Sequence, residues 1–113
     1  MATEKNKASK ILNELVDYFF RNKIYKMNLS LDYSVKEIIV HLDGPCKEKP
    51  KDYDDLYEIL NEERRPELEE YYYGLLGGDF KREELNLLGS MIDKADMSYK
   101  DNHLSITVYR YRE

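Results

Sequence analysis

The stretch from Met97 to Val108, Met-Ser-Tyr-Lys-Asp-Asn-His-Leu-Ser-Ile-Thr-Val, decides the fold class of this chain. Apolar and polar residues alternate on both sides of Asp101-Asn102, and a period of two is typical of a strand with one buried face. Asp and Asn both tolerate the backbone angles of a tight turn. The stretch therefore predicts an antiparallel hairpin at the end of the chain.

A second hairpin is predicted nearer the start, over residues 25–43. Every second residue from Tyr25 to Tyr33 is apolar, and the same alternation returns from Ile38 to Leu42 after a short turn near Ser34. We expect Gly44-Pro45 to stop the second strand, because proline cannot donate a hydrogen bond to a ladder.

Helices are predicted before and between the hairpins. The first is expected over about Glu4–Lys23, because its apolar residues recur at a spacing of three and four. These residues are Ala8, Ile11, Leu12, Leu15, Val16 and Phe19. The last is expected after Asp79, with Leu85, Leu88 and Ile92 facing inward.

The middle of the chain, residues 52–78, is predicted to be a helical insert. Asp52 is a candidate N-cap for a short amphipathic helix through Leu60, and Pro66 suits the first turn of a second helix. Gly77-Gly78 is expected to end that helix. No crossover between parallel strands is indicated.

These elements predict one α+β domain spanning residues 1–113. The first helix occupies 1–24, the first hairpin 25–43, the helical insert 52–78, and the last helix with the second hairpin 79–113. The two hairpins should form a four-stranded, mainly antiparallel or mixed sheet with helices packed on one face, which is a two-layer sandwich.

The composition of the chain limits which kinds of partner it is expected to bind and in which compartment it is expected to occur. The net charge of −5 argues against nucleic-acid binding, which depends on Lys and Arg neutralising phosphates. No apolar run reaches the ~18 residues of a membrane span. Cys46 is the only cysteine, so no internal disulfide can form, and a cytoplasmic location is expected.

Few residues are arranged for chemistry. His41 and His103 lie in different hairpins, without the spacing of a metal site, and are expected to be structural or solvated. Cys46 has no adjacent base, and the chain has no glycine loop that could hold a phosphate. The sequence therefore predicts no catalytic residue, no metal and no cofactor.

Three short segments nevertheless match motifs of one ATPase family. Asn13-Glu14-Leu15-Val16-Asp17-Tyr18 is similar to its first motif, Glu-Leu-Val-Asp-Asn. The segment from Ile38 to Gly44 is similar to the strand that leads into its Asp-x-Gly-x-Gly loop. The segment from Leu85 to Asp93 is similar to its second core helix. On these segments the chain resembles histidine-kinase-type (GHKL) ATPase domains, especially the free-standing anti-sigma factor serine kinases.

The departures from the family pattern concern the nucleotide site. Tyr18 stands where the family has its metal-holding Asn, and Asp43-Gly44-Pro45-Cys46 lacks the second loop glycine. Arg82 and Glu84 stand where two further glycines would lie. The resemblance makes Glu14 a vestigial general base and Asp43 a vestigial adenine acceptor. It places residues 52–78 at the position of the nucleotide lid.

The resemblance without its glycines implies a non-catalytic protein-interaction or regulatory module, built like an anti-sigma factor but without kinase activity. Within the insert, the run from Tyr71 to Tyr73 cannot all be buried on one side of a helix, so we expect at least one tyrosine ring on the surface. Tyr71 and Tyr73 are the predicted partner or dimer surface. Two alternatives stay open. The chain could be a small-molecule or nucleotide-binding protein with diverged motifs, or a structural subunit of a homo-oligomer.

Overall fold

The structure is a computed structural model that describes residues 3–62 and 87–112. Its elements are α1 (Glu4–Arg21), β1 (Asn28–Tyr33), β2 (Glu37–Pro45), α2 (Tyr53–Asn61), β3 (Lys94–Lys100) and β4 (His103–Tyr111). Residues 87–91 form a further helical segment. Within the described ranges, no helix is long and apolar enough to cross a membrane.

The four strands form one antiparallel sheet in the order β1-β2-β4-β3. The two predicted hairpins lie side by side, and β2 pairs with β4 from Glu37↔Tyr111 to Pro45↔His103. β1 and β3 are the two edges. The predicted α+β class and four-stranded sheet are confirmed, with every pair of neighbouring strands antiparallel.

One face of the sheet carries the hydrophobic core. Its buried residues on the central strands are Ile38, Val40, Leu42, Leu104, Ile106 and Val108. Residues of α1, α2 and the helical segment 87–91 belong to the same buried cluster. The helices therefore pack on one face, as the apolar stripes predicted.

Arg110 shows directly that α1 and the helical segment 87–91 share that face. This buried side chain alternates with Tyr109 and Tyr111 and so points to the core side of β4. Its Nε and one terminal nitrogen donate to the two carboxylate oxygens of Glu4, each over 3.0 Å. Its other terminal nitrogen donates to the carbonyl of Met91. One guanidinium thus ties the last strand to the start of α1 and to the end of the helical segment.

The turn between β3 and β4 matches its prediction. Asp101 and Asn102 have φ values of 52° and 58°, which is the left-handed backbone of a two-residue hairpin turn. These angles suit Asp and Asn better than most other residues.

The predicted end of the second strand is wrong. β2 continues through Gly44 and Pro45. The N–H of Cys46 bonds to the carbonyl of Asn102 in the direction of β4, so the nitrogen of Pro45 points the other way, towards β1. β1 begins opposite Asp43, so Pro45 has no ladder partner to satisfy on that side.

The predicted cap of α2 is half correct. Asp52 occupies the N-cap position, but its side chain makes no capping hydrogen bond. Its carboxylate instead accepts from the hydroxyl of Tyr18 over 2.7 Å. Asp52 therefore fastens α2 to α1 instead of capping its own helix.

Candidate functional site

A polar surface covers the second face of the sheet, on the side away from α1. Alternation along the paired strands places Asn28, Ser30, His41, Asp43, Ser105 and Thr107 there. All of these side chains are half-buried or exposed. We refer to this surface as the polar face.

Asp43 is the centre of the polar face and brings both histidines together. Its Oδ2 lies 2.7 Å from Nε2 of His41, and its Oδ1 lies 2.9 Å from Nε2 of His103. The side-chain amide of Asn28 also donates to Oδ1, over 3.0 Å. The carboxylate thus accepts hydrogen bonds from side chains on β1, β2 and β4.

His41 links this carboxylate to a hydroxyl group. A carboxylate only accepts, so Nε2 of His41 carries the proton that it shares with Asp43. In the neutral ring Nδ1 is then an acceptor, and the hydroxyl of Thr107 lies 2.7 Å from it. The chain of hydroxyl, imidazole and carboxylate fixes the orientation of all three side chains across the two central strands.

These contacts favour the ionised carboxylate. The hydrogen bond from Asn28 is the largest cause that lowers the pKa of Asp43, and those from His41 and His103 act in the same direction. The network thus holds a negative charge on the polar face and locks three strands in register. Three side chains already donate to Asp43, which leaves about one of its four acceptor positions for a ligand.

The sequence did not predict that both histidines contact Asp43. His41 and Asp43 are two residues apart on one strand, which was enough to place them on one face. His103 is 60 residues further along, and its place depends on the pairing of β2 with β4. Within residues 3–62 and 87–112, no group of three or more His, Cys, Asp or Glu side chains is arranged to hold a metal ion.

Glu14 and Asp43, the two vestigial candidates, do not share a site. Glu14 is buried on α1 and forms an ion pair of 2.6 Å with Lys10 of the same helix. α1 packs on the core face, whereas the carboxylate of Asp43 lies on the polar face. The sheet itself separates the two side chains.

Gly44 is needed for packing within the chain. A Cβ at this position would lie 2.5 Å from the carbonyl oxygen of Lys26 and 2.7 Å from Cγ2 of Ile24. The space that a glycine leaves is thus filled by the segment that leads into β1. Gly44 itself is a buried residue of β2.

Cys46 has a structural environment. It is buried, and its thiol donates to the carbonyl of Glu48 over 3.0 Å. Burial raises the pKa of the thiol, which keeps it in the less reactive protonated form. Tyr71 and Tyr73, the predicted partner surface, lie outside the described residues.

The outer edge of β1 is a second candidate site, made of backbone groups. The N–H of Ser34 bonds to the carbonyl of Glu37 at the start of β2. In an antiparallel ladder, every second residue of a strand bonds to the same neighbouring strand. Ser30 and Asp32 therefore direct their N–H and C=O groups to β2. The backbone groups of Leu29 and Leu31 point outward, and nothing in the described part of the chain hydrogen-bonds them.

Apolar side chains accompany these backbone groups. Leu29 is 50% exposed and Leu31 40% exposed, although both project to the core side of the sheet. β1 has no proline and a single charged residue, Asp32, so it lacks the usual features that prevent an edge strand from pairing. We refer to Leu29, Leu31 and their outward backbone groups as the β1 edge.

The opposite edge of the sheet is treated differently. The side chain of Asn61, at the end of α2, donates to the carbonyl of Ala95 over 3.2 Å and accepts from its N–H over 3.0 Å. This side-chain amide occupies the position that a neighbouring strand would take on β3. The β1 edge has no such cover among the described residues.

Comparisons of the chain with protein-family models, with curated proteins and with solved structures give no match.

Proposed function

We propose that this chain is a non-catalytic protein-interaction module that binds its partner by strand addition at the β1 edge. The observation that carries the proposal is the outward direction of the backbone groups of Leu29 and Leu31, which have no hydrogen-bond partner among the described residues. In strand addition, an extended segment of the partner forms backbone hydrogen bonds with a free edge, and alternate side chains provide specificity.

The side chains of the β1 edge suit this mode of binding. Leu29 and Leu31 stand on the same face as the hydrophobic core, and each is at least two-fifths exposed. An added strand would extend the sheet and cover these leucines with its own apolar residues. Burial of such surface contributes about 25 cal/mol per Å² before the cost of association.

The polar face supports the module as a rigid platform and does not carry the proposal. Asp43 and His41 already have partners within the chain, and their hydrogen bonds hold β2 to β1 on one side and to β4 on the other. A rigid β1 lowers the entropic cost of adding a strand to it. The relationship to GHKL domains stays a prediction, and strand addition does not depend on it.

The experiment that tests this function compares two substitutions at one position. Leu31→Pro removes an outward N–H, and the bonds of β1 to β2 remain because they use Ser30 and Asp32. Leu31→Val keeps both the N–H and an apolar side chain. Tagged wild type and both variants are used to capture proteins from the source cell, and bound proteins are quantified by mass spectrometry.

We expect a partner that is captured by the wild type and by Leu31→Val and is lost with Leu31→Pro. Circular dichroism and thermal unfolding of the variants establish that each is folded. Equal capture by folded Leu31→Pro and Leu31→Val would contradict binding at the β1 edge.

A further inference from the structure

We infer that the strand added at the β1 edge is β1 of a second copy of this chain, paired antiparallel about a two-fold axis at Ser30. The inference rests on the proposed function and names its partner. It follows from the residues on both sides of Ser30, from the direction of their backbone groups and from the charges that would face each other.

The backbone geometry allows this pairing. With the axis at Ser30, Leu29 of one copy lies opposite Leu31 of the other, and both residues direct their N–H and C=O groups outward. Each copy therefore donates and accepts at both leucines. The two Ser30 residues face each other as a non-hydrogen-bonded pair, in which side chains approach closely.

The side chains match in the same arrangement. On the core face, Leu29 meets Leu31 twice. On the polar face, Asn28 meets Asp32 twice, so an amide donor stands opposite a carboxylate. No two like charges are directly opposed. An axis perpendicular to the sheet keeps the core faces of both copies on one side, so the apolar surface is continuous.

Charge distinguishes this axis from one at Asp32, where the backbone groups point in the same directions. An axis at Asp32 would place the Asp32 carboxylates of the two copies directly opposite each other, which is unfavourable. With the axis at Ser30, each Asp32 lies opposite the side-chain amide of Asn28 instead. The charge on β1 thus favours pairing about Ser30.

Exposed apolar residues also flank β1 at both ends. Tyr25 is 75% exposed and Val35 is 86% exposed, the highest values among the exposed large apolar residues that the structure describes. Tyr25 precedes the strand and Val35 follows it, so both ends of β1 carry apolar surface that a second copy could cover. The ring of Phe20 stacks on Tyr25 with centroids 6.3 Å apart and enlarges the apolar surface at that end.

A cysteine at the axis tests the pairing directly. We expect Ser30→Cys to form an intermolecular disulfide on mild oxidation, because the two side chains face each other across a non-hydrogen-bonded pair. The matched control is Ser98→Cys, at an exposed position on the other edge strand and on the same face. The native Cys46 is present in both variants and is buried in the structure. Equal, low cross-linking of both variants would overturn the inference.

Sedimentation equilibrium provides the second measurement. We expect the wild type and Leu31→Val to dimerise, and Leu31→Pro to dimerise at least about tenfold more weakly, because each dimer loses two backbone hydrogen bonds. A wild type that stays monomeric at millimolar concentration would overturn the second copy as partner. In that case capture of another protein that depends on Leu31 would leave the proposed function standing, and equal capture by both variants would reject it as well.

Discussion

The guanidinium of Arg110 and the carboxylate of Glu4 form two parallel hydrogen bonds of 3.0 Å, and thereby join the last strand of the chain to its first helix. Arg110 is almost fully buried, and Glu4 is about one-third exposed. The contact holds α1 on the core face of the sheet whose border strand, β1, carries the β1 edge.

Loss of this pair should destabilise the whole domain. We expect Arg110→Met to lower the free energy of unfolding by about 2 kcal/mol, because the Glu4 carboxylate and the Met91 carbonyl lose a charged donor. Urea denaturation measures the change. A double-mutant cycle with Glu4→Gln should show coupling between the two residues, and strictly additive effects would contradict a direct interaction.

Low pH should reduce the stability that the hydrogen bonds of Asp43 contribute on the polar face. Hydrogen bonds from Asn28, His41 and His103 lower the pKa of Asp43 in the folded protein, so the unfolded chain binds the proton more readily. The contribution to stability is therefore complete above the ordinary carboxyl pKa of about 4, and it is lost as the pH falls through the folded value.

The measurement for this prediction is urea denaturation at several pH values between 7 and 2. We expect Asp43→Asn to be less stable than the wild type at pH 7 and to lose less stability on acidification. Asp32→Asn, which removes an exposed carboxylate from the same face, is the control for net charge. An identical pH dependence in Asp43→Asn and wild type would show that the network does not stabilise the ionised form.

High pH should weaken the contact between Tyr18 and Asp52 and so destabilise the folded protein. Burial, and after it the hydrogen bond to Asp52, raises the pKa of Tyr18 above its ordinary value of about 10. The unfolded chain then releases this proton first, so stability is complete below pH 10 and falls as the pH rises beyond it.

We expect Tyr18→Phe to cost about 1 kcal/mol at pH 7 through the lost hydrogen bond. Above pH 10 its stability should decline less steeply than that of the wild type. Tyr25→Phe, at an exposed ring, is the matched control and should follow the wild type. Parallel declines of Tyr18→Phe and wild type would exclude Tyr18 as the group responsible.

Gly44 should not tolerate a side chain. We expect Gly44→Ala to destabilise the domain by about 1–3 kcal/mol, since its Cβ would overlap the carbonyl oxygen of Lys26 and the backbone there must shift. Ser98→Ala, on an exposed strand position, is the control and should change stability little. Thermal unfolding compares the two. An unchanged melting temperature in Gly44→Ala would contradict the close approach of residues 24–27 to β2.

The hairpins could be predicted because their signals are local. Alternation around Asp101-Asn102 and between Leu29 and Leu42 fixes which side chains share a face, without knowledge of any other strand. The same alternation also separates Asp43 from the buried Val40 and Leu42, so its position on the polar face was present in the sequence. The motif resemblance instead implies that Asp43 is a vestigial nucleotide contact.

Other features depend on contacts between distant segments. The contact of His103 with Asp43 requires β2 to pair with β4, and the continuation of β2 through Pro45 depends on where β1 begins. The exposure of the β1 edge could not be predicted either, because an edge strand and a central strand have the same alternation. Only the strand order shows that Leu31 lies at the border of the sheet.

The most direct test of the strand-addition account is residue-resolved amide exchange of β1, measured by nuclear magnetic resonance over a dilution series of the wild type. The inward N–H groups of Ser30 and Asp32 should be protected at every concentration. The outward N–H groups of Leu29 and Leu31 should exchange rapidly in the dilute protein and become protected as the concentration rises. Rapid exchange of Leu29 and Leu31 at all concentrations would contradict pairing of the β1 edge with a second copy.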